Sequence, residues 1–427
     1  SLKDQGVLLE LPLHMGRESC HSRPILLRNN REKGRYFLMS DNTIILQPKY
    51  VADFQCDGSK CNAKCCRNSW RIDIDMEAYK KYQRIKNPAM RKKILASIQP
   101  STCQAGFEIK FNEEGACPLL CEDNFCYVQR NLGEEALSKT CKGYPRKIQK
   151  IGNYQFRLLS MTCPVAAEQA LLSAHGMELQ QLSCEDDTPA WKLAIKNTRS
   201  KEVPDDLVAV HIMMGGLAIL QNVSYTFEQR LVLLGLFLDR VEDCQQDVEA
   251  VAGLIEYYNS DVFQQEISGL WDEWQYYPKA HQQFMEGIIT VLQEEKMLLL
   301  SEPWQTMNEH HNSIYAQRHK LIQDKLGSVL ERYWQHEWLF HGYPYSFSGG
   351  FLHNYFSYLI AYEMCQLLIY SAYALDEGWE ENNILDVLGM FSKILDHRRD
   401  FSKALVKETE IFEKEPLKLM QVLLRLQ

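Results

Sequence analysis

Ten of the fourteen cysteines in this 427-residue chain lie between residues 56 and 163, and that crowding limits what the segment can be. They are Cys56, Cys61, Cys65, Cys66, Cys103, Cys117, Cys121, Cys126, Cys141 and Cys163. All 12 histidines fall at or before His21 or at or after His175, so the segment contains no imidazole. The N-terminus carries Lys3, Asp4, Glu10 and Arg17 around a short apolar patch and shows no signal-peptide pattern. This predicts a cytoplasmic chain whose thiols stay reduced. Clustered reduced thiols oxidise readily and build a core poorly. All-thiolate ligation is therefore expected, as a four-thiolate zinc site or an iron–sulfur cluster. Four ligands complete either centre, so the excess implies a second metal or additional structural thiols.

Charge divides the chain in the same way. Residues 56 to 163 hold 19 Lys and Arg against 11 Asp and Glu, while the whole chain has a net charge of −9 and a pI near 5.8. The remainder is strongly acidic. A general nucleic-acid binder needs a cationic face, so that class is disfavoured and no nucleic-acid partner is expected. Apolar runs such as Leu231 to Leu238 are far shorter than the roughly 20 residues of a membrane span.

The spacing of apolar residues predicts a mainly α chain: a cysteine-rich α+β metal-binding module followed by an irregular helical domain. The expected divisions are a poorly defined extension over residues 1–38, the cysteine-rich module over 39–180 and the helical domain over 181–427. Within the module, Ile44 to Phe54 reads as a strand or irregular segment, Asp75 to Ile98 as one basic helix capped by Asp75, and Phe107 to Phe111 as a short strand. Glu134 to Cys141 reads as one or two helical turns, Tyr154 to Met161 as a strand, and Pro164 to Ala174 as a helix opened by proline. Beyond residue 185, helical periodicity marks 204–222, 226–245, 247–258, 279–299, 303–325, 327–337, 350–376, 381–396 and 403–425, with Gly327 among the expected breakers. The aromatics of this half, Trp334 and Trp338 among them, are expected mainly as core.

The cysteine spacing carries most of the chemistry. The first cluster is CDGSKCNAKCC from Cys56 to Cys66, the second CPLLCEDNFC from Cys117 to Cys126, followed by Cys141 in SKTCKGYPR and Cys163 in MTCP. Adjacent Cys65 and Cys66 on an extended backbone would point to opposite sides, which predicts that they do not both serve one ion. A Cx3Cx2C triplet, as in radical enzymes that cleave S-adenosylmethionine, would need cysteine at position 68 or 124, and both are asparagine. No GxGxxG, GxSxG or Walker loop is present, which removes the easy routes to a dinucleotide enzyme, an α/β-hydrolase or an ATPase.

The ordered words FQCDGSKCNAKCCRNSWRIDID, CPLLCEDNFCYVQRNLGEEALSKTCKGYPR and LLSMTCP, over roughly residues 50 to 170, resemble the flagellin lysine N-methylases, a branch of the CxxCxxCC metal-chelating proteins. The resemblance implies metal ligands at Cys56, Cys61, Cys65, Cys66, Cys117, Cys126, Cys141 and Cys163, with Cys103 and Cys121 as additions. It implies methyl transfer from S-adenosylmethionine to lysine ε-amino groups of flagellin, dependent on a [4Fe-4S] cluster, with zinc as the alternative metal. Tyr144 and Arg146, beside Cys141, are the candidate pocket residues, and Glu134 is a candidate proton acceptor or helix cap. The other reading is a cysteine-rich zinc- or iron-binding scaffold or adaptor that docks flagellin without catalysis. In either case the acidic helical half is expected to attract cationic side chains.

Overall fold

The computed structural model describes residues 43–426 except 57, 59–60, 68–70, 102–105, 174, 183–189, 192–193, 195–199, 202, 204, 245–246, 295–303, 347–349, 376–380, 398–411 and 413–414. The extension over 1–38, Cys103 and the first part of the last expected helix (403–411 and 413–414) lie outside the described residues. Two small sheets carry the first half. Strands β1 (Ile44–Pro48), β5 (Arg146–Ile151), β6 (Tyr154–Leu159), β7 (Leu179–Leu182) and β8 (Ser200–Lys201) form one sheet in the order β7-β1-β6-β5-β8. Strands β2 (Asp73–Ile74), β3 (Ile98–Pro100) and β4 (Phe107–Ile109) form the other, in the order β2-β4-β3.

Fifteen α-helices are described. In the first half they are α1 (Lys64–Arg67), α2 (Met76–Gln83), α3 (Pro88–Ala96), α4 (Tyr127–Leu132), α5 (Lys139–Gly143) and α6 (Pro164–Leu171). The second half holds α7 (Asp206–Leu220), α8 (Phe227–Asp243), α9 (Val248–Tyr258), α10 (Asp261–Asp272), α11 (Pro278–Glu294), α12 (Trp304–His341), α13 (Phe351–Leu375), α14 (Glu381–His397) and α15 (Pro416–Leu423). The protein is mainly α, as its periodicity predicts. No helix among the described residues is long and apolar enough to cross a membrane.

Several boundaries differ from expectation for identifiable reasons. The single basic helix is two, because Pro88 supplies no amide hydrogen and Asn87 turns to cap a new helix through Met90 N at 3.1 Å. The expected break at Gly327 does not occur: α12 runs through it for 38 residues. A helical glycine costs about 1 kcal/mol, which the burial of Leu326, Val329 and Leu330 around it outweighs. Helix α10 was not expected, although Ser260 caps it through Phe263 N at 3.1 Å and Phe263 and Ile267 bury one face. Strand β5 was also missed; it pairs with β6 across a tight turn at Gly152, whose φ of 51° suits glycine.

Two apolar clusters result. The larger joins Tyr50, Val51, Phe54, β5, β6 and α6 to the long helices, with Trp334 and Trp338 at its centre. Helix α7 approaches α12 closely there, because a Cβ on Gly216 would lie 2.3 Å from the Trp338 ring. The smaller cluster gathers Ile72, Ile74, Ala78, Tyr82, Ile94, Ile109, Cys117, Leu119 and Val128.

A buried ionic group ties the sheet to α12. His336 Nε2 lies 3.0 Å from the Leu159 carbonyl and its Nδ1 lies 3.2 Å from Glu337 Oε1, so each ring nitrogen faces an acceptor. The Nε2 of His341 lies 3.0 Å from Glu337 Oε2. Burial by itself would raise the Glu337 carboxyl, but His336 and His341 pull it down to about 2. Because that value lies below the ordinary glutamate value of about 4.3, the group stabilises the fold above it and loses this contribution as pH falls toward 2. Glu337→Gln is expected to reduce unfolding stability at pH 7 by about 3–5 kcal/mol. In denaturant titrations the gap to the wild type should close between about pH 4.5 and 2, and a pH-independent gap would reject the ionic role.

A thiol-lined cavity as the candidate functional site

Local structure delivers the cysteines to one place. After β1, a 3₁₀ turn over Lys49–Val51 leads through Phe54 to Cys56. Gly58 then passes so near the Asn124 carbonyl that a Cβ there would stand 2.5 Å from its oxygen. This contact brings the first cysteine loop against the second. Arg67 braces the pair, its Nη2 donating to Asn124 Oδ1 at 2.8 Å and its Nε to the Asn62 carbonyl at 3.2 Å. Asn62, Ala63 and Asn124 all take positive φ, between 50° and 61°, which lets these loops turn sharply. Asparagine tolerates this conformation, whereas alanine there stores on the order of 1 kcal/mol of strain.

The remaining thiols are held from the smaller cluster. The Cys117 amide donates to the Cys66 carbonyl at 2.7 Å. Cys126 stands at the N-cap of α4, and Cys141 lies in α5, whose cap Ser138 accepts from the Cys141 amide at 3.4 Å. Asp75 places α5: one carboxylate oxygen caps α2 through Ala78 N at 3.1 Å, and the other accepts from Lys139 N at 2.8 Å. Tyr82 Oη donates to the Ala136 carbonyl at 2.8 Å and so fixes the 3₁₀ turn Glu134–Ala136. On the other wall, Cys163 stands at the N-cap position of α6 without a side-chain capping bond, and Pro164 opens the helix.

These pieces enclose a cavity of about 100 Å³ at the seam between the two clusters. Cys56, Cys61, Cys65, Cys66, Cys126, Cys141 and Cys163 line it, together with Glu134, Tyr144 and Arg146. Cys117 is buried behind this lining and Cys121 sits in the turn before Cys126. No disulfide joins any of the described cysteines. Cys65 and Cys66 do not lie on extended backbone: α1 coils them, their sulfurs stand 4.0 Å apart, and both face the cavity. The expectation that they diverge is thereby corrected. Among the described residues no three Cys, His, Asp or Glu side chains stand close enough together to enclose a metal ion.

The thiols share a desolvated environment. Burial, with a smaller push from neighbouring thiolates, raises Cys117 to about 11 and Cys141 and Cys163 to about 12. Cys56, Cys61 and Cys126 are raised chiefly by burial as well. Contact with Cys66 lowers Cys65, and the same contact, with burial, raises Cys66. A cavity whose walls resist several negative charges at once is one in which a cation would be strongly favoured. The donor set is all sulfur, which suits a soft metal or an iron–sulfur cluster.

The polar residues stand at the rim and floor. Glu134 is exposed, Lys142 Nζ holds Glu135 at 2.6 Å, and Tyr144 Oη lies 3.1 Å from Thr162 Oγ1. Arg146 opens β5 opposite Leu159. Burial lowers its basicity, and the charges of Glu134, Cys56 and Cys163 oppose that shift. Phe54, Lys142 and Trp191 were not singled out from the sequence. Phe54 and Lys142 adjoin cysteine words and could have been found there, whereas Trp191 reaches Arg146 only through tertiary structure.

The description "FliB lysine N-methylase C-terminal domain" matches residues 216–424. The "Flagellar biosynthetic protein FliU" of Salmonella muenchen is 34% identical over 139 residues, 32% of this chain and 81% of that protein. The "Lysine-N-methylase" of Salmonella choleraesuis is 34% identical over 141 residues, and that of Salmonella typhimurium 33% identical over 141 residues. Each match spans 32% of this chain and 35% of the relative, so the likeness covers about a third of those lysine N-methylases. No solved structure matches the chain. The FliU likeness over four-fifths of that protein's length and the C-terminal domain match together show that the chain belongs to the FliB lysine N-methylase family.

Proposed function

We propose that this chain moves a methyl group from S-adenosylmethionine to the ε-amino group of flagellin lysines at the thiol-lined cavity. The observation that carries the reading is convergence: seven thiols and the side chains of Glu134, Tyr144 and Arg146, drawn from both walls, open onto one space. Ligands drawn from the eight cysteines implied by the family resemblance, Cys56, Cys61, Cys65, Cys66, Cys117, Cys126, Cys141 and Cys163, would hold an iron–sulfur cluster. When bound, such a cluster would supply positive charge and an open iron site able to take an amino group.

The chain's own residues carry the rest. A lysine ammonium has no lone pair to give, so its proton must leave first. Glu134, exposed at the rim, would accept that proton. The freed lone pair on Nζ forms the new N–C bond while the donor's C–S pair returns to sulfur, leaving a neutral thioether. The new methylammonium then yields a proton to solvent. Tyr144, tethered to Thr162, and Arg146 form the drier floor. The acidic helical half would draw lysine-bearing segments toward the rim through long-range attraction.

Protein purified without oxygen is expected to be brown and to contain iron and acid-labile sulfide. Cys61→Ser, Cys117→Ser, Cys126→Ser and Cys141→Ser should each lose metal and methyl transfer together, whereas Cys244→Ala should retain both. Stoichiometric zinc without iron, or full activity after losing two of the first four thiols, would reject the assignment. Flagellin capture should also weaken with salt more steeply than donor binding, since the Debye length is about 8 Å at 0.15 M. Parallel salt slopes measured by calorimetry would remove the charge-guided docking.

A further inference from the structure

Arg146 is the cation of the cavity floor, and its surroundings leave it short of an acceptor. Its guanidinium carbon lies 5.4 Å from the Phe54 ring centroid and 5.9 Å from that of Trp191. Arg157, buried in β6, places its own guanidinium 5.1 Å from the same Trp191 ring. Two positive groups therefore share one aromatic wall. The Nε of Arg146 is buried and has no hydrogen-bond partner among the described residues. An arginine cannot shed its proton, so a buried N–H of this kind carries a desolvation penalty until an acceptor arrives. Arg146 opens onto the cavity, and it is anchored from behind because its strand partner Leu159 is gripped by Tyr50 and His336.

We propose that Arg146 is the carboxylate-holding residue of this site, and that its guanidinium receives the α-carboxylate of the methyl donor between Phe54 and Trp191. The inference rests on the cavity being the donor site, as proposed above. A planar fork of donors suits a carboxylate, and the ring faces exclude water from the pair. Orientation follows: with the carboxylate on the floor, the methyl-bearing sulfur is turned away from Arg146 and toward the rim.

The test is calorimetry on the full chain, purified without oxygen and matched for metal content, with two probes. S-adenosylhomocysteine carries the carboxylate, and 5′-methylthioadenosine lacks it. Arg146→Gln is expected to weaken S-adenosylhomocysteine binding about ten- to a hundredfold, while 5′-methylthioadenosine binding changes less than about twofold. Arg146→Lys should recover only part of the loss, since lysine offers a point charge instead of a fork. Thermal unfolding of each variant checks that the fold survives. Unchanged S-adenosylhomocysteine affinity, or an equal loss for both probes, would overturn the assignment while leaving the donor reading intact. A loss confined to flagellin binding would also overturn it, moving the carboxylate to the protein substrate. If the wild type binds neither probe, the donor reading falls and this inference falls with it.

Discussion

The grip on Leu159 is the constraint from which the candidate site takes its shape. Its amide donates to Tyr50 Oη at 3.2 Å and its carbonyl meets His336 Nε2 at 3.0 Å, so one residue is fixed by the turn over Lys49–Val51 and by α12. Leu159 is also the register partner of Arg146 and lies just before Ser160, Thr162 and Cys163. Fixing it sets the floor of the cavity and one thiol wall together. Glu337 completes the grip by holding His336 in place from within the core. A buried carboxylate alone would cost several kcal/mol, and this one is tolerable because two imidazoles flank it.

The second constraint is close approach. Thiol-bearing loops far apart in sequence must be brought edge to edge without sheets or long helices to guide them. The chain does this with Gly58 against Asn124, with Arg67 reaching over the join, and with Asp75 serving two helix starts at once. Each is a polar or steric device of a few atoms. Together they join the short helices and strands of the cysteine segment, and they leave the thiols lining one cavity.

Much of this was legible in the sequence where one residue type had one physical role. Asp75 as a cap, Pro164 at the start of a helix, the strand beginning at Tyr154 and the apolar stripes of the second half follow from local chemistry. The split at Asn87–Pro88 was equally local and was outweighed by the apparent continuity of the basic stretch. Gly327 shows the opposite case, in which a local breaker loses to burial. The cysteine words and the neighbouring Tyr144 and Arg146 pointed to the cavity, whereas Trp191 and the His336–Glu337 pair could not be read. Their roles arise only when segments distant in sequence meet, Trp191 with Arg146 and His336 with Leu159, and single-sequence periodicity carries no information about such meetings. The adjacency of Cys65 and Cys66 carries no sign of the short turn of helix that coils them, because four residues are too few for periodicity to mark.

The seam position of the cavity has a thermodynamic consequence. Cys61 and Cys163 pack against the large cluster, while Cys66, Cys126 and Cys141 pack against the small one, so neither cluster owns the space between them. Anything bound there contacts both and is lost when either opens. Its binding free energy is therefore shared as cooperativity: occupancy converts two cores that can loosen separately into one unfolding unit, by an amount that grows with the logarithm of ligand concentration over its dissociation constant. The cavity is then a fastener as well as a site, and the chain's resistance to partial opening becomes a measure of whether it is filled.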